Sequence, residues 1–403
     1  MPRNGGGAKK QSELYDFTDL MTLKTLNICV TGGGTGGHVF PIKSMIEHIY
    51  NHDTFSKHIQ NIYRFGGRNS LEKKTSDKLS AKGYTNHFVT IFSGKYRRET
   101  PLMAHIMNIR DFFSFLLGLV QSIFRLREYK IDVVFCKGGY VALPVIIATR
   151  ILRKKIIVHE SDTHSGLVNK IAARFADKVF TGFDNVLPRS ETVGQILSDD
   201  IAFGDDTNAI KDAKISEILA KIPKKKTIVL VIGGSQGSYR IYKSLINILD
   251  QNPMAMSNFV FILSLGILNS DLKPEFERFS NVFAQEFFSQ KEMGALCYRA
   301  DIGLTRAGTT SLAEQKLYDM KLFMVPIAWT HDQYDNAKYY VSQFHDLLID
   351  QKLPDFETRL LQAFKNHVGF RKQQKTPQSC KGKKRLILVC QVKDKIAKAI
   401  VEA

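Results

Sequence analysis

The stretch "TGGGTGGHVFP", Thr31 to Pro41, decides the fold. Five of its first seven residues are glycine, and Gly32, Gly34 and Gly37 hold the spacing G-x-G-x-x-G. It follows the apolar run "LNICV" (26–30) and leads into a helical pattern, so it reads as strand, tight turn and helix N-terminus. Such a turn offers backbone N–H groups and the positive end of a helix dipole to an anion. A dinucleotide would also need an Asp or Glu about 20 residues on, at the end of the next strand. That strand ends in "RFGGRNS", with Arg68, which suits only a 2′-phosphate, so a dinucleotide is disfavoured. His38 falls at the start of the helix, where it is placed to act as acid, base or orienting donor, or merely to cap its own helix.

Working outward, short β-rich runs alternate with helical segments. "LNICV", "IYRFGG" (62–67), "HFVTIF" (87–92), "IDVVFC" (131–136), "KIIVHE" (155–160) and "KVFTGF" (178–183) read as buried parallel strands. A second series runs through "TIVLVIGG" (227–234), "NFVFILSL" (258–265), "VFAQEF" (282–287), "DIGLTR" (301–306) and "LFMVPI" (322–327). Its first strand also ends in a glycine turn, "VIGGSQGS" (231–238). The expectation is an α/β protein of two parallel-sheet domains, residues 23–197 and 225–366, joined by a polar hinge at 198–224. Residues 1–22 read as a disordered extension, and 367–403 as a basic linker with a possible closing helix. In open parallel sheets ligands bind at the carboxyl ends of the strands, so both glycine turns are expected to line one cleft.

Composition narrows the class. A chain of 403 residues that is 44% hydrophobic can bury two sizeable cores. The five cysteines are scattered and odd in number, which argues for a reducing compartment and against a disulfide framework. No signal peptide is recognised, and no uninterrupted apolar run of the roughly 18 residues needed to span a bilayer. The formal charge of +18 suits anionic lipid or phosphorylated ligands. Without an aromatic-interleaved RNA-binding motif, nucleic acid is not expected. The acidic pairs at 199–200 and 205–206 lie in the hinge and read as solvated, and no metal-ligand cluster stands out.

Six blocks carry a family resemblance: "TGGGTGGHVFP", "CKGGYVALP", "HESDTHSGLVNK", "VIGGSQGS", "RAGTTSLAE" and "QYDNA". In order and spacing they resemble the MurG family of UDP-N-acetylglucosamine transferases, glycosyltransferase family 28, over roughly residues 24–350. The resemblance implies a GT-B fold of two Rossmann-like domains facing across a cleft. It implies inverting transfer of N-acetylglucosamine from its UDP ester to the 4-hydroxyl of a polyprenyl-diphospho-N-acetylmuramoyl-peptide, with no metal or other cofactor. Helix dipoles and loop N–H groups would then carry the diphosphate charge.

By the same match, Thr35, Gly36 and Gly37 approach the donor or its phosphates. His38 is the first candidate for the base, with Glu160 of "HESD" as its rival. Asp162 and Asn169 face the sugar, and Gly34 and Tyr140 lie on the acceptor side. In the second half, Ser235 and Gln236 lie near the diphosphate and uracil, and Phe288 holds the base through its backbone. Thr309 and Thr310 donate to phosphate, with Ser311, Leu312 and Ala313 in the same block. Glu314 takes the ribose hydroxyls, and Gln333 and Asn336 meet the sugar or its phosphate. Departures exist: Ser198 stands where the family has an arginine, and Tyr242 where it has an asparagine. The alternatives are a related GT-B transferase that glycosylates another lipid, and a catalytically dead UDP-sugar-binding scaffold, which the missing arginine at Ser198 supports best.

The segment 101–130 is apolar and helical, with Phe112, Phe113 and Leu116 exceeding one core-facing stripe. Either it is buried on both sides, or it is a monotopic anchor beside Lys95, Arg97 and Arg98 that meets anionic headgroups. The lipid-linked acceptor implied by the resemblance favours the anchor, hence a peripheral place at the cytoplasmic face of the cell membrane.

Overall fold

The computed structural model describes residues 25–95, 102–205, 216–218, 220, 225–329, 331–372 and 381–403. The expectations for residues 1–22, Arg97 and Arg98 fall outside them. The first domain holds a seven-stranded sheet: β1 (Leu26–Gly32), β2 (Ile59–Gly66), β3 (Asn86–Thr90), β4 (Val133–Gly138), β5 (Lys155–Glu160), β6 (Lys178–Thr181) and β7 (Ser190–Thr192). Its order is β3-β2-β1-β4-β5-β6-β7, with every pairing parallel. The second sheet holds β8 (Thr227–Ile232), β9 (Phe259–Ser264), β10 (Val282–Gln285), β11 (Ile302–Thr305), β12 (Lys321–Met324) and β13 (Leu347–Leu348). It runs β10-β9-β8-β11-β12-β13, again all parallel. β4 and β8 are buried at every position, which is why their sequences show no alternation. β7 and β13 were not expected, being too short to show a period.

Each sheet reverses its order beside its first strand, between β1 and β4 and between β8 and β11. The glycine turns follow β1 and β8, so both open at a topological switch point. The helices that matter below are α1 (Gly36–Asn51), α2 (Leu71–Ala81), α3 (Leu102–Glu128), α4 (Ala142–Ile151) and α5 (Leu167–Phe175) in the first half. In the second they are α6 (Tyr239–Gln251), α7 (Gln290–Arg299), α8 (Thr309–Lys316), α9 (His331–Phe344), α10 (Phe356–Lys365) and α11 (Lys381–Val401).

The chain end does not simply trail. Ile396, Ala397 and Ile400 of α11 enter the core beneath α1, while Val389 packs into the second domain. Burying each isoleucine stabilises this return by about 1.5–3 kcal/mol. Two of the hinge acids, Asp199 and Asp205, are engaged rather than merely solvated as expected, while Asp200 stays half exposed and Asp206 lies outside the described residues. Asp199 pairs with the fully buried Lys393, and Asp205 with Arg385 at 2.6 Å, so they fasten α11 to the short 3-10 turn at Asp199–Phe203. The segment read as a basic linker is likewise engaged where it is described: Arg371 bonds Asp301 at 2.7 Å.

Candidate active site

Glycines let the first turn adopt backbone that other residues resist. Gly34 has φ +93, in the left-handed region, and a Cβ there would sit 3.0 Å from the Tyr140 ring. Tyr140 therefore lies against the turn. Thr35 is the N-cap residue of α1 but its hydroxyl does not cap; it meets His38 Nδ1 at 3.1 Å. The N–H groups of His38 and Val39 both bond the Thr35 carbonyl at 3.2 Å, which leaves Gly36 and Gly37 to supply the leading donors of the helix.

His38 is half-buried. Burial, and then the Lys137 ammonium, push its pKa down to about 4; Glu160, the Gly33 carbonyl and Glu72 oppose this. Its imidazole is therefore neutral at pH 7 and can accept a proton. Glu160, its rival, ends β5 and is 4% exposed. Oε1 accepts from the N–H groups of Ser161 (2.7 Å) and Asp162 (3.0 Å), and Oε2 from Gly166 N (3.1 Å) and Asn169 Nδ2 (3.0 Å). Four donors fill its acceptor sites and order the loop between β5 and α5.

Two residues expected to face the sugar are occupied elsewhere. Asn169 lies buried behind Gly138, where a Cβ would come within 2.8 Å of its amide, and its N–H group serves Glu160. Asn336, 1% exposed, spends its amide across the cleft. Its Nδ2 donates to Asp162 Oδ1 (3.0 Å) and to the Ala307 carbonyl (3.2 Å), while its Oδ1 accepts from Thr163 N (3.0 Å) and Oγ1 (2.9 Å). Burial and the neighbouring Glu160 raise Asp162 to about 6. A second bridge joins His164 to Asp335 at 3.3 Å. The glycine turns also meet: a Cβ built on Gly36 would lie 4.0 Å from Ser235 Oγ.

On the far wall, the carbonyls of Ser235 and Gln236 accept from Ile267 N and Leu268 N, which holds the second turn against the chain after β9. Tyr242, found in place of the family asparagine, is fully buried and donates to the Ser264 carbonyl at 2.7 Å, its hydroxyl filling the space beneath Gly233. Phe288 packs at the edge of the core just ahead of α7. Thr309 and Thr310 open α8, whose N-cap residue Gly308 has no side chain to cap it. Ser311 and Ala313 follow half-buried, whereas the Leu312 side chain belongs to the core. Glu314 is buried, and burial raises its pKa to about 7 against the opposing bond from Gln290. Gln333 accepts from Ile327 N at 2.9 Å and shapes the loop entering α9.

The segment before β4 forms α3, and the doubly buried reading fails. Ile109, Phe112, Phe113, Leu117 and Phe124 are each more than half exposed, at helical spacing. The helix stretch Ile106–Glu128 contains an 18-residue window of mean hydropathy 1.2, and is long and apolar enough to cross a membrane by length and composition. That corrects the sequence expectation, which Arg110 and Asp111 misled by interrupting the run. The other face is docked: Gln121 bonds the Thr90 carbonyl and Phe92 N, and Gly118 lies against the Phe92 carbonyl and Pro144. Lys95 sits beside it, its N–H bonded to Asp111.

Sequence reasoning missed Glu72, Lys137, Thr163 and Gln290. Lys137 and Thr163 stand inside quoted blocks and could have been singled out there, whereas nothing local marks Glu72 and Gln290, whose partners are distant in the chain. Among the described residues one group has metal-ligand chemistry, His48, Asp199 and Cys390. It lies beneath α11, away from the cleft, with Lys393 on Asp199 and Asp394 on His48.

Two parallel sheets, each with a glycine turn at its switch point and the turns close enough for Gly36 to approach Ser235, make the GT-B architecture. Residues 28–181 match the glycosyltransferase family 28 N-terminal domain, and residues 228–390 match the C-terminal domain of that family. The chain belongs to glycosyltransferase family 28. It is 29% identical to the UDP-N-acetylglucosamine–N-acetylmuramyl-(pentapeptide) pyrophosphoryl-undecaprenol N-acetylglucosamine transferase of Staphylococcus carnosus, over 78% of this chain and 81% of that protein. With the enzyme of the same name from Staphylococcus saprophyticus it shares 29% over 87% and 93%. Among solved structures, the MurG of Acinetobacter baumannii superposes with a TM-score of 0.61 at 17% identity, covering 94% of this chain and 98% of that one. A UDP-GlcNAc 2-epimerase from Neisseria meningitidis, bound to UDP-GlcNAc, gives 0.58 at 12% identity over 94% and 100%; both likenesses speak for the fold.

Proposed function

We propose that this enzyme transfers N-acetylglucosamine from UDP-N-acetylglucosamine to the 4-hydroxyl of undecaprenyl-diphospho-N-acetylmuramoyl-peptide, with inversion, in peptidoglycan synthesis. The observation that carries the mechanism is the place of His38, in the first turn of the helix whose Gly36 approaches Ser235 of the second glycine turn. The acceptor oxygen attacks the anomeric carbon, the bond to the β-phosphate oxygen breaks, and UDP leaves from the opposite face. His38 takes the hydroxyl proton as the new bond forms. A free pKa of about 4 makes it a weak base, but the arriving diphosphate supplies the negative charge that raises it. Glu160, with its four donors, shapes the loop that carries Asp162 rather than moving a proton.

The leading N–H groups of α1 and α8, with Ser235, Gln236, Thr309 and Thr310, receive the diphosphate charge. Glu314 takes the ribose hydroxyls, Phe288 the base, and Gln333 the sugar. Asn336 and Asp162, bonded to each other here, close the cleft around the donor. The exposed apolar face of α3, with Lys95 beside it, supports peripheral binding at the cytoplasmic face of the membrane, where lipid-linked acceptor and nucleotide sugar meet. Mass spectrometry of the product from purified lipid-linked acceptor and UDP-N-acetylglucosamine tests the reading: a product heavier by one N-acetylhexosamine supports it, and unchanged acceptor overturns it.

A further inference from the structure

The first glycine turn has almost no side chains of its own, yet it must hold His38 in place. Two contacts restrain its backbone. Gly33 N bonds the Gly138 carbonyl at 3.2 Å, and Gly34 N donates to Glu72 Oε1 at 2.7 Å. Glu72 stands in the first turn of α2, 2% exposed, and its carboxylate fills the room a Gly33 side chain would need: a Cβ there would lie 1.7 Å from Oε1. Beneath the same turn lies Arg64, fully buried, whose Nη2 bonds the Val39 carbonyl at 3.3 Å while Nε and Nη1 have no hydrogen-bond partner. Arg64 and Glu72 feel each other's charge, so the carboxylate keeps a counter-ion inside the domain.

We propose that Glu72 is a positioning residue for the transfer reaction, fixing the first glycine turn through Gly34 N and so setting the place of the His38 imidazole. The proposal rests on His38 being the base. A charged acceptor suits the task, because hydrogen bonds to ionised groups are shorter and stronger than neutral ones. The residue sits outside the six motif blocks, 38 positions from the glycine it holds. Restraint of the turn also explains its double glycine, since Gly33 must leave space for the carboxylate and Gly34 must turn left-handed above it.

The test is a set of variants of the full chain, assayed with lipid-linked acceptor and UDP-N-acetylglucosamine. Glu72→Asp keeps the charge but withdraws the carboxylate from Gly34 N, whereas Glu72→Gln keeps an acceptor oxygen in place. Glu72→Asp is expected to lower kcat about 10- to 100-fold, as small misplacements of catalytic groups do, with UDP affinity unchanged by calorimetry. Glu72→Gln keeps the acceptor oxygen in place but gives up the charge-assisted bond, so its loss is expected to be smaller than that of Glu72→Asp, within about fivefold of the parent. On a His38→Ala background, Glu72→Asp is expected to add less than about threefold, because residues acting as a unit are non-additive. Equal losses on both backgrounds, or a Gln variant as poor as the Asp variant, overturn the proposal. A parent chain that transfers no sugar overturns the functional reading instead. In that case hydrogen exchange decides on Glu72: Glu72→Asp must speed exchange at residues 33–39, and unchanged exchange there sinks it.

Discussion

Glu314 gives a prediction whose sign is fixed by its environment. It is a buried carboxyl with a pKa raised to about 7 from an ordinary 4.5, and burial is the cause. Ribose hydroxyls are donors, and an ionised carboxylate accepts both, whereas the protonated acid offers one acceptor oxygen. Affinity for the UDP-sugar should therefore rise as pH rises through about 7. One unit below the pKa about a tenth of the enzyme is ionised, so KM for UDP-N-acetylglucosamine at pH 6 should be about tenfold its value at pH 8 or above. The donor's diphosphate is already fully ionised in this window and adds no slope. The assay is KM for the UDP-sugar between pH 6 and 8.5, on the parent and Glu314→Gln. The Gln variant should bind more weakly at pH 8 and lose the slope centred near pH 7, keeping only what Asp162 contributes near pH 6. For the unliganded fold the sign reverses: the native state holds the proton more tightly than the unfolded chain, so this group's contribution to stability falls as pH rises from 4.5 to 7. A flat KM profile in the parent, or a Gln variant with the same slope, refutes the ribose assignment.

His38→Ala should lower kcat by about 10² with little change in UDP affinity; a change confined to donor KM would mean that the ring only shapes the pocket. Replacing Phe112 and Phe113 together by Ser should reduce binding to anionic vesicles, and salt should weaken what remains, while the melting temperature holds because both rings are exposed; salt-insensitive binding would count against the anchor. Turnover should survive EDTA, since helix starts and loop donors carry the diphosphate charge, and loss restored only by magnesium or manganese would sink that account. Asn336→Ala should raise donor KM and loosen the pairing of the two domains, read as faster hydrogen exchange in the Asp162–Thr163 segment; unchanged exchange would show that the bridge does not hold the cleft shut.

Much of the architecture was legible because it is local. Buried parallel strands betray themselves as short β-branched runs, and β5 begins and ends where "KIIVHE" does. β7 and β13, at three and two residues, carry no period to read. The glycine turns announce themselves because only glycine tolerates their backbone. The family blocks named residues on both walls of the cleft, but they did not say which atoms would be free. Asn169 and Glu160 satisfy each other behind Gly138, and Asn336 reaches Asp162 from 174 positions away. Asp199 and Asp205 of the hinge looked solvated because their partners, Lys393 and Arg385, lie in a helix far along the chain.

The sequence by itself determined two α/β domains, their glycine turns and the class of ligand they suit, since periodicity and glycine placement are properties of neighbouring residues. Only the tertiary structure decided that the first turn is held by Glu72, that α3 exposes rather than buries its phenylalanines, and that α11 returns to the first domain. Each of these depends on what a side chain meets across the fold. Burial then did what no motif states: it held His38 neutral and pushed the Glu314 carboxyl up to about 7, because low dielectric penalises charge wherever the fold removes water.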